Sequence, residues 1–577
     1  MQPGSRWRHE RVRRNVATAA GALPIATAGA RADAIFATSR GTRVASSAVM
    51  LRGAMMVLLA SCTSIRGATL DAPTTPDAGG DAQAPTATGW AGQVIYLVMP
   101  DRFVDGDPSN DNATGCYNPS DPKAIHGGDY AGLRAQLPYL AALGVTAVWI
   151  TPAYLQTSSC HSYHGYWADF TDPDDGAIAP NLGTAQDLAG LAADLHALGM
   201  RLILDMVVNH TGSHARIDTE HPDWFHDAAT CSALGDPAIY CPVNGLPDFA
   251  QEDAAAASYL SAVSAGWVTR FPIDGIRMDT VHNVLPGYWA ASWFPAVRQA
   301  HPGLFVVGED YDESGAAALA PFLADGFDSL FDYPRYGALI ASFAQGGSVD
   351  ALASAVGDAI ATYGLARACT MTSFVDNHDN PRLPSLVPSG TSDADATARY
   401  ELAQGASFTL PGIPQLMWGD EIAMLGGSDP DNRRDMPAWA FTAAGRAGAH
   451  AGTSVGDGQA VYAYIQQLIA VRRSHTALQV GSYGELWRQN GGPSNVLAFF
   501  RGDGGDRIVV AINAGGATSV ALPIAANPNL AASDRAALGD GTTLHELLGA
   551  GAPATVTVAG GAIALALPAQ TIGIYAP

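Results

Sequence analysis

Four short segments of the sequence end an apolar run in acidic or histidine residues. In chain order they read DMVVNH (205–210), GIRMD (275–279), VVGED (306–310) and FVDNHD (374–379). A hydrophobic run that stops at charged residues is typical of a parallel barrel strand whose carboxyl end opens into an active site. We therefore predict that three acids from these segments meet in one pocket: Asp279, Glu309 and Asp379.

Two of these acids have the chemistry needed to cleave an acetal between sugars. That reaction requires an acid to protonate the leaving oxygen and a carboxylate to stabilise or capture the oxocarbenium-like centre. Two carboxyl groups in a dry pocket push their pKa values apart, which gives each a different role. Asp279 and Glu309 follow neighbouring predicted strands and are the natural pair. Either one alone would more often be a strand-end cap, but Arg277, His378 and Asp379 nearby favour catalysis.

Eight apolar runs alternate with helical patterns between residues 94 and 420. They read VIYLVMP, TAVWITP, RLILDMVV, DGIRMD, LFVVGED, DSLFDY, TSFVDN and IPQLMWGD. This count of strands and intervening helices predicts an α/β fold, a closed (β/α)8 TIM barrel. One predicted helix covers 184–198, where Leu188, Leu191 and Leu195 share a face and Gly199 is the stop signal.

The spacing of the runs also predicts the domain organisation. The catalytic barrel is expected over 90–210 and 254–474, with a loop-rich insertion, 211–253, after the third strand. A long insertion of this kind is usually functional. Beyond the amphipathic segment 461–473 the pattern changes to short alternating runs with Gly-rich turns and no helices between them. This pattern predicts a C-terminal antiparallel β-sandwich over 475–577.

The N-terminal part of the chain has the features of a leader and a tether. Residues 1–61 are expected to be a signal or an upstream extension, and the Pro-, Ala-, Gly- and Asp-rich stretch 62–89 a flexible linker. MLRGAMMVLLASC (50–62) resembles a bacterial lipoprotein signal in which Cys62 would be lipidated; the alternative is an ordinary secretory signal. Both predict an extracytoplasmic protein, either an outer-membrane lipoprotein or a secreted one.

Cysteine usage fits an exported protein. Five cysteines follow Cys62, and outside the cytoplasm they can pair. Their positions in shared or neighbouring loops pair Cys231 with Cys241 and Cys116 with Cys160. Cys369, just before a predicted strand, is expected to be a buried thiol.

The overall composition restricts the partners. The chain carries a formal net charge of −23, with 48% hydrophobic and 15% charged residues. It can bury a large core. Its acidic surface argues against nucleic acid and against anionic membranes as partners. We therefore expect membrane contact only through a lipid on Cys62. The protein is also expected to be a monomer.

The stretch from Gln93 to Pro577 resembles the α-amylase family, glycoside hydrolase family 13, and contains all four strand-end signatures of that family. The resemblance implies that Asp279 is a nucleophile that forms a covalent glucosyl-enzyme. It implies that Glu309 is the general acid and base, and that Asp379 holds hydroxyls of the distorted sugar ring.

The resemblance also implies a set of substrate-binding residues around this centre. Arg277 would pair with the nucleophile and keep it ionised, and Tyr166 would stack on the sugar in the cleavage subsite. Without the resemblance, the aromatic cluster SYHGYWADF (162–170) would more often be part of a core. The segment DPDNRR (429–434) could equally be a solvated charged turn. The other side chains implied to contact or flank the sugar are His164, Trp167, Asp205, His210, His282, Tyr311, His378, Asp429 and Arg433.

Calcium is the implied cofactor, at two sites. Oxygen-rich flexible loops suit this hard cation of high coordination number. The first site would use Asp105, Asp107, Asn110, Asp111, the carbonyl of Gly127, and Asp129. The second, between barrel and insertion, would use Asn209, Asp248 and the carbonyl of Asn283. Relatives commonly have Lys-His where this chain has His282-Asn283, which puts the leaving-side sugar contacts in question.

The expected function is retaining endo-hydrolysis of α-1,4-glucosidic bonds in starch, glycogen and maltodextrins. The alternatives are a cyclomaltodextrinase or neopullulanase-like hydrolase and an α-glucan transglycosylase. A remote alternative is a non-catalytic glucan-binding lipoprotein. Its mark would be the loss of the nucleophile or the acid, and this sequence retains both, at Asp279 and Glu309.

Overall fold

Eight parallel strands form the centre of the protein. The computed structural model describes residues 89–157, 159–169, 178–491 and 494–577, so the predicted leader, most of the linker and the lipidation site at Cys62 lie outside the described residues. The strands are β1 (Ile95–Val98), β2 (Ala147–Ile150), β3 (Arg201–Met206), β4 (Gly275–Met278), β5 (Phe305–Gly308), β6 (Ser329–Leu330), β7 (Thr372–Ser373) and β8 (Ile413–Met417).

The strands close into the predicted TIM barrel. Their spatial order is β6-β5-β4-β3-β2-β1-β8-β7, and a parallel bridge between Phe331 and Thr372 joins the two ends. Strands β1, β2, β4 and β5 are buried along their whole length, because helices cover the outside of a parallel barrel. The eight predicted strands are therefore confirmed.

Helices surround the barrel and also occur in the insertion after β3. In chain order they are α1 (Tyr130–Ala135), α2 (Leu137–Leu143), α3 (Ala185–Ala197), α4 (Arg216–Glu220), α5 (Pro237–Tyr240), α6 (Ala254–Arg270), α7 (Phe294–Ala300), α8 (Ala316–Asp325), α9 (Tyr333–Leu339), α10 (Asp350–Ala368), α11 (Asp393–Thr409), α12 (Ala443–Arg446), α13 (Gly458–Ser474) and α14 (Thr476–Val480). Thr184 and Asp187 form a capping box at the start of α3. Its leucines are buried as predicted. Among the described residues no helix is long and apolar enough to cross a membrane.

The insertion after β3 is joined to the barrel near the carboxyl ends of the strands. It contains α4 and α5, and its last part returns to the barrel through an antiparallel bridge between His210 and Asp248. The structure contains a disulfide between Cys231 and Cys241 within the insertion. A second disulfide, Cys116–Cys160, joins the loops after β1 and β2. Both match the pairing expected from sequence, and Cys369 is a buried free thiol.

The C-terminal region is an eight-stranded antiparallel sheet in the order β12-β15-β14-β13-β16-β11-β10-β9. The strands are β9 (Ser482–Gly491), β10 (Ser494–Asp503), β11 (Asp506–Asn513), β12 (Thr518–Pro523), β13 (Thr543–Glu546), β14 (Thr555–Ala559), β15 (Ala562–Leu567) and β16 (Thr571–Ala576). Along β10, Val496, Ala498 and Phe500 enter the core of this region, whereas Leu497 and Phe499 pack against the barrel core. Side chains of a strand alternate in this way between its two faces.

One expectation for the C-terminal region was wrong. We expected no helix between its strands, but α15 (Ala532–Ala537) lies between β12 and β13. This helix has six residues and no buried side chain. A helix of less than two turns with no buried face has no apolar periodicity, so the sequence pattern could not reveal it.

Candidate active site

Arg277 is the centre of the site. It lies on β4 and is 1% exposed. One guanidinium nitrogen, Nη1, is 2.6 Å from Asp279 Oδ1 and 3.0 Å from Asp205 Oδ1, and the other, Nη2, is 2.8 Å from Glu309 Oε2. The strand register causes this convergence, because Arg277 pairs with Asp205 on β3 and with Val307 on β5. One buried cation thus holds carboxylates from three adjacent strands.

Burial raises the pKa values of two carboxyl groups in the site. It raises the pKa of Glu309 to about 8, although Arg277 opposes the shift, so Glu309 keeps its proton at neutral pH. Burial also raises the pKa of Asp205 to about 7 against the same opposing charge. Burial alone would lower the pKa of Arg277. The surrounding carboxylates have the larger, opposite effect, so the pKa lies well above its usual value. Arg277 is therefore a permanent cation in the site.

The residue after Asp279 has a strained backbone. Thr280 has φ 48° and ψ 43°, in the left-handed region that β-branched residues rarely adopt. Such a conformation costs about 1–3 kcal/mol and is retained where the surrounding structure requires it. Here it directs the Thr280 backbone N–H to Glu309 Oε2, at 3.1 Å. The next residue, Val281, donates to the Glu309 carbonyl at 2.9 Å.

Asp379 lies on the open side of the site. Its side chain is 41% exposed and is 2.9 Å from Arg433 Nη2 and 3.4 Å from His378 Nε2. Desolvation raises the pKa of Asp379, but His378 and Arg433 together lower it to about 2. Arg433 also contacts Asp429, at 3.1 Å. An ionised, accessible carboxylate with fixed neighbours is suited to accept hydrogen bonds from hydroxyl groups.

Tyr166 connects the two sides of the site. Its hydroxyl donates to Asp205 Oδ2 at 2.7 Å and is 2.6 Å from His378 Nε2. The rings of His378 and His164 lie nearly parallel to the Tyr166 ring, with centroids 5.3 and 5.7 Å away. Burial lowers the pKa of His378 to about 4. A neutral His378 then donates its one hydrogen to Tyr166.

The other predicted substrate-binding residues lie around this centre. Trp167 packs edge-on against His164, with ring centroids 5.0 Å apart, and His210 Nδ1 is 3.1 Å from Asn209 Oδ1. His282 is 3.5 Å from Asp310. Tyr311 is 51% exposed, with its ring 5.8 Å from that of His282. An exposed aromatic ring two residues after Glu309 in the chain is suited to packing against a sugar.

Three residues of the site have no assigned role in the sequence analysis. Trp149 on β2 donates its indole N–H to Asp205 Oδ2 at 3.0 Å. Tyr163 has its hydroxyl 3.3 Å from both Asp429 Oδ1 and Arg433 Nη1. Tyr333 lies with its hydroxyl 3.5 Å from Glu309 Oε1. Tyr333 follows the sixth strand, as Asp279 and Glu309 follow the fourth and fifth. This position could have indicated from the sequence that Tyr333 belongs to the site.

The loop after β1 fits the first predicted calcium ion. Buried oxygens of Asn110 (Oδ1) and Asp111 (Oδ1) have no hydrogen-bond partner. Desolvation and the neighbouring carboxylates of Asp105, Asp107 and Asp129 raise the pKa of Asp111. A Cβ added at Gly127 would lie 2.7 Å from Asp111 Oδ1, so the backbone approaches this oxygen closely. Unpartnered oxygens among like charges are what a bound Ca²⁺ would satisfy.

Asp129 has a different set of contacts from the other residues of this loop. Its two carboxylate oxygens accept from the N–H groups of Gly106, Asp107 and Gly132 and from the side chain of Asn110. It thereby caps α1 and shapes the loop. These contacts favour an organising role for Asp129 at the first predicted site.

The second predicted calcium site is satisfied by its own side chains. The Asn209 amide donates to Asp248 Oδ1 at 2.8 Å and to the Asn283 carbonyl at 3.0 Å. His226 Nδ1 contacts the other Asp248 oxygen at 2.7 Å. The three predicted ligands therefore converge, but their oxygens already face the side-chain nitrogens of Asn209, His210 and His226 and do not fit an ion. In the described residues, no group of three or more His, Cys, Asp or Glu side chains is arranged to hold a metal, so the first site too would depend on Asn110 Oδ1 and a backbone carbonyl in addition to carboxylates.

Calcium removal provides a test of the first site. We expect a chelator to lower the melting temperature, because an ion that binds only the folded state at 100 times its Kd adds about 2.7 kcal/mol of stability. Asp111→Asn should abolish most calcium binding in titration calorimetry. Asp121→Asn, in the same loop but outside the ligand set, is the matched control and should bind normally. Wild-type protein that takes up no calcium would contradict the prediction.

Comparison with known proteins agrees with the fold and the site. Residues 97–481 match the family model described as "Alpha amylase, catalytic domain". Alpha-amylase 1 of Lipomyces kononenkoae is 33% identical over 425 residues, which cover 68% of this chain and 61% of that protein. The Beta/alpha-amylase of Paenibacillus polymyxa is 32% identical, covering 74% of this chain and 34% of that protein. The chain thus spans only about one third to three fifths of the length of these curated relatives.

A solved structure and a further curated relative give the same result. The α-amylase of Geobacillus thermoleovorans, crystallised with acarbose, superposes with a TM-score of 0.70 and 28% identity, covering 85% of this chain and 99% of that one. A cyclomaltodextrinase of a Bacillus species is also similar, 28% identical over 73% of this chain and 72% of that protein. The closed barrel and the acids at the ends of its adjacent strands agree with these similarities. The chain belongs to the α-amylase family, glycoside hydrolase family 13.

Proposed function

We propose that the protein is a retaining, endo-acting hydrolase of α-1,4-glucosidic bonds in starch, glycogen and maltodextrins. The observation that carries the proposal is the single guanidinium of Arg277, which holds Asp279 and Glu309 at 2.6 and 2.8 Å. In retaining enzymes the two carboxyl groups lie about 5–5.5 Å apart, whereas inverting enzymes leave room for a water between them. Contact with one planar cation favours the closer arrangement.

The two acids would act in two steps. First, an oxygen of Asp279 bonds to the anomeric carbon while the bond to the leaving sugar oxygen breaks. The electron pair stays with that oxygen, which takes the proton of Glu309. In the second step Glu309, now ionised, takes a proton from water. The water oxygen then bonds to the anomeric carbon and the ester to Asp279 breaks, which restores both acids.

The other side chains would bind the sugar and stabilise developing charge. Asp379 and Arg433 face the open side of the pocket and would accept from and donate to sugar hydroxyls. His378, held by Tyr166, would lie next to the same sugar ring. The ionised Asp379 would favour positive charge on the anomeric carbon, because opposite charges attract strongly in a partly desolvated pocket.

Product analysis tests the proposed substrate. Soluble starch should be cut into a broad range of maltooligosaccharides from the first minutes, as endo action requires, and α-cyclodextrin and pullulan should be cleaved more slowly. Preference for the ring or for pullulan would instead indicate the cyclomaltodextrinase or neopullulanase alternative, which the 28% identical cyclomaltodextrinase supports. Products longer than the maltooligosaccharide supplied would indicate transglycosylation.

The raised pKa of Glu309 predicts the alkaline limit of activity. The acid must hold its proton in the first step, so kcat/KM on starch should fall as the pH rises through about 8. As a control, kcat/KM for α-maltosyl fluoride should show no such fall, because fluoride leaves without protonation. A starch profile that stays flat well above pH 8 would contradict the assignment of the acid.

We also propose that the protein acts outside the cytoplasm as a monomer, anchored by a lipid on Cys62 or secreted. The support is the lipoprotein-like segment 50–62 and the two disulfides, which form in oxidising compartments. Metabolic labelling with a palmitate analogue, compared between wild type and Cys62→Ser, tests the anchor.

A further inference from the structure

The hydroxyl of Tyr333 contacts the proposed acid from the side opposite Arg277. Tyr333 is the first residue of α9 and is 4% exposed. Its hydroxyl lies 3.5 Å from Glu309 Oε1. The other carboxyl oxygen, Oε2, receives Arg277 Nη2 at 2.8 Å and the Thr280 N–H at 3.1 Å. The two oxygens of Glu309 therefore have distinct environments.

The direction of the Tyr333 hydroxyl follows from its other partners. It accepts from the side-chain amides of Asn377 at 3.1 Å and Asn380 at 3.4 Å. The orientation of the Asn377 amide is fixed, because its oxygen accepts from the backbone N–H groups of Asp379 and Asn380. A tyrosine hydroxyl has one hydrogen. With its acceptor side occupied by two amides, that hydrogen is left for Glu309 Oε1.

The same contacts decide which oxygen carries the acid proton. Oε2 of Glu309 faces two donors, a guanidinium and a backbone N–H, neither of which can accept a hydrogen bond. A proton on Oε2 would be directed against them, so protonated Glu309 carries its proton on Oε1. Oε1 is then the atom that gives the proton to the leaving oxygen in the first step and receives one from water in the second.

The surrounding packing holds Tyr333 rigidly. Asp332 caps α9 by accepting from the Arg335 N–H. The Tyr333 ring packs edge-on against Phe374 and Tyr336, with centroids 5.0 and 5.8 Å away. A fully buried ring held on two sides cannot change rotamer without repacking its neighbours. Its hydroxyl is therefore a fixed reference point for the acid.

We propose that Tyr333 is a positioning residue that fixes Oε1 of Glu309 as the proton-delivering atom. Asn377 connects this contact to the backbone of Asp379. The positions of Glu309 and Asp379 therefore both depend on the Asn377 side chain. The inference rests on the proposed function. It assigns Tyr333 no contact with the sugar; its effect passes through the geometry of Glu309.

Tyr333→Phe is the test, because it removes only the hydroxyl. With starch, whose leaving group needs a proton, kcat/KM should fall about 10-fold, a fraction of the roughly 10²–10⁴-fold that a general acid supplies. With α-maltosyl fluoride, kcat/KM reports the first step without proton delivery and should be unchanged. Tyr336→Phe is the matched control. Tyr336 lies on the same helix, is buried and stacks on Phe374, and its variant should behave as wild type with both substrates.

The outcomes separate this inference from the proposed function. Equal losses on starch and fluoride in Tyr333→Phe, with a lowered melting temperature, would show a structural role and overturn the proposal. No loss on either substrate would also overturn it. Wild-type protein that cleaves neither substrate would instead refute the proposed function.

Discussion

Replacing Asp279 with asparagine is expected to abolish starch hydrolysis, with a loss in kcat on the order of 10⁴-fold or more, as for other enzymes that lose their nucleophile. The amide cannot form the ester to the anomeric carbon, and Asp205, the other carboxyl group on the same Arg277 nitrogen, is fully buried. Glu309→Gln should lose about 10²–10⁴-fold on starch, the usual contribution of general acid and base catalysis.

The two variants differ in one observable that fixes their roles. With α-maltosyl fluoride, Glu309→Gln can complete the first step but lacks the base for the second, so a covalent adduct should accumulate in the intact-protein mass spectrum. Asp279→Asn should form no adduct. Asp393→Asn, an exposed acid at the start of α11, is the control and should hydrolyse starch normally. An adduct on Asp279→Asn would reassign the nucleophile.

The strands and the acids at their ends were accessible from sequence because both leave local patterns. Each barrel strand is an apolar run, and each acid stands where the run stops. All eight strands were found, and Asp279 and Glu309 do meet at one guanidinium. Adjacent strands of a parallel barrel bring their carboxyl ends together, so order along the chain was sufficient for this step.

The contacts that tune the acids were not accessible in the same way. That Arg277 holds Asp205 as well as Asp279 and Glu309 depends on the register of β3 against β4. A shift of one residue would turn the side chain to the other face. Tyr333 reaches Glu309 only because α9 begins where β6 ends, and Trp149 reaches Asp205 across a strand pair. Sequence spacing contains no information on these distances.

The second calcium site shows a further limit. Asn209, Asp248 and Asn283 do converge, so the resemblance placed them correctly in space. What it did not reveal is His226, whose ring lies 2.7 Å from Asp248 and 2.8 Å from Glu252. Whether carboxylates face an ion or a side-chain donor depends on every neighbour in the loop, and a motif contains only some of them.

The second large effect is expected from Arg277→Met, which removes the buried cation. Breaking a buried ion pair by removing one partner costs about 3–5 kcal/mol, because the remaining charge is left uncompensated. Here Asp205, Asp279 and Glu309 all lose the same partner. We expect the free energy of unfolding measured in urea to fall by about this amount. Nearly all activity on starch should be lost as well.

The pH dependence of that loss distinguishes charge from packing. Burial raises the folded-state pKa of Asp205 to about 7 and of Glu309 to about 8, so both bind protons more tightly in the folded state. Stability therefore declines as the pH rises from their unfolded values through these pKa values. Without Arg277, which lowers both, the decline should extend further, so the deficit of Arg277→Met should be larger at about pH 9 than at about pH 5.

A surface pair provides the comparison for this experiment. Arg134 is 2.7 Å from Asp194, with its side chain 36% exposed, and exposed pairs contribute about 0–1 kcal/mol. Arg134→Met also removes a guanidinium, but from a pair whose charges are screened by solvent. This variant should lose little stability at either pH. If Arg277→Met lost the same stability at both pH values, the role of Arg277 would be filling space, and the three carboxylates would not depend on its charge.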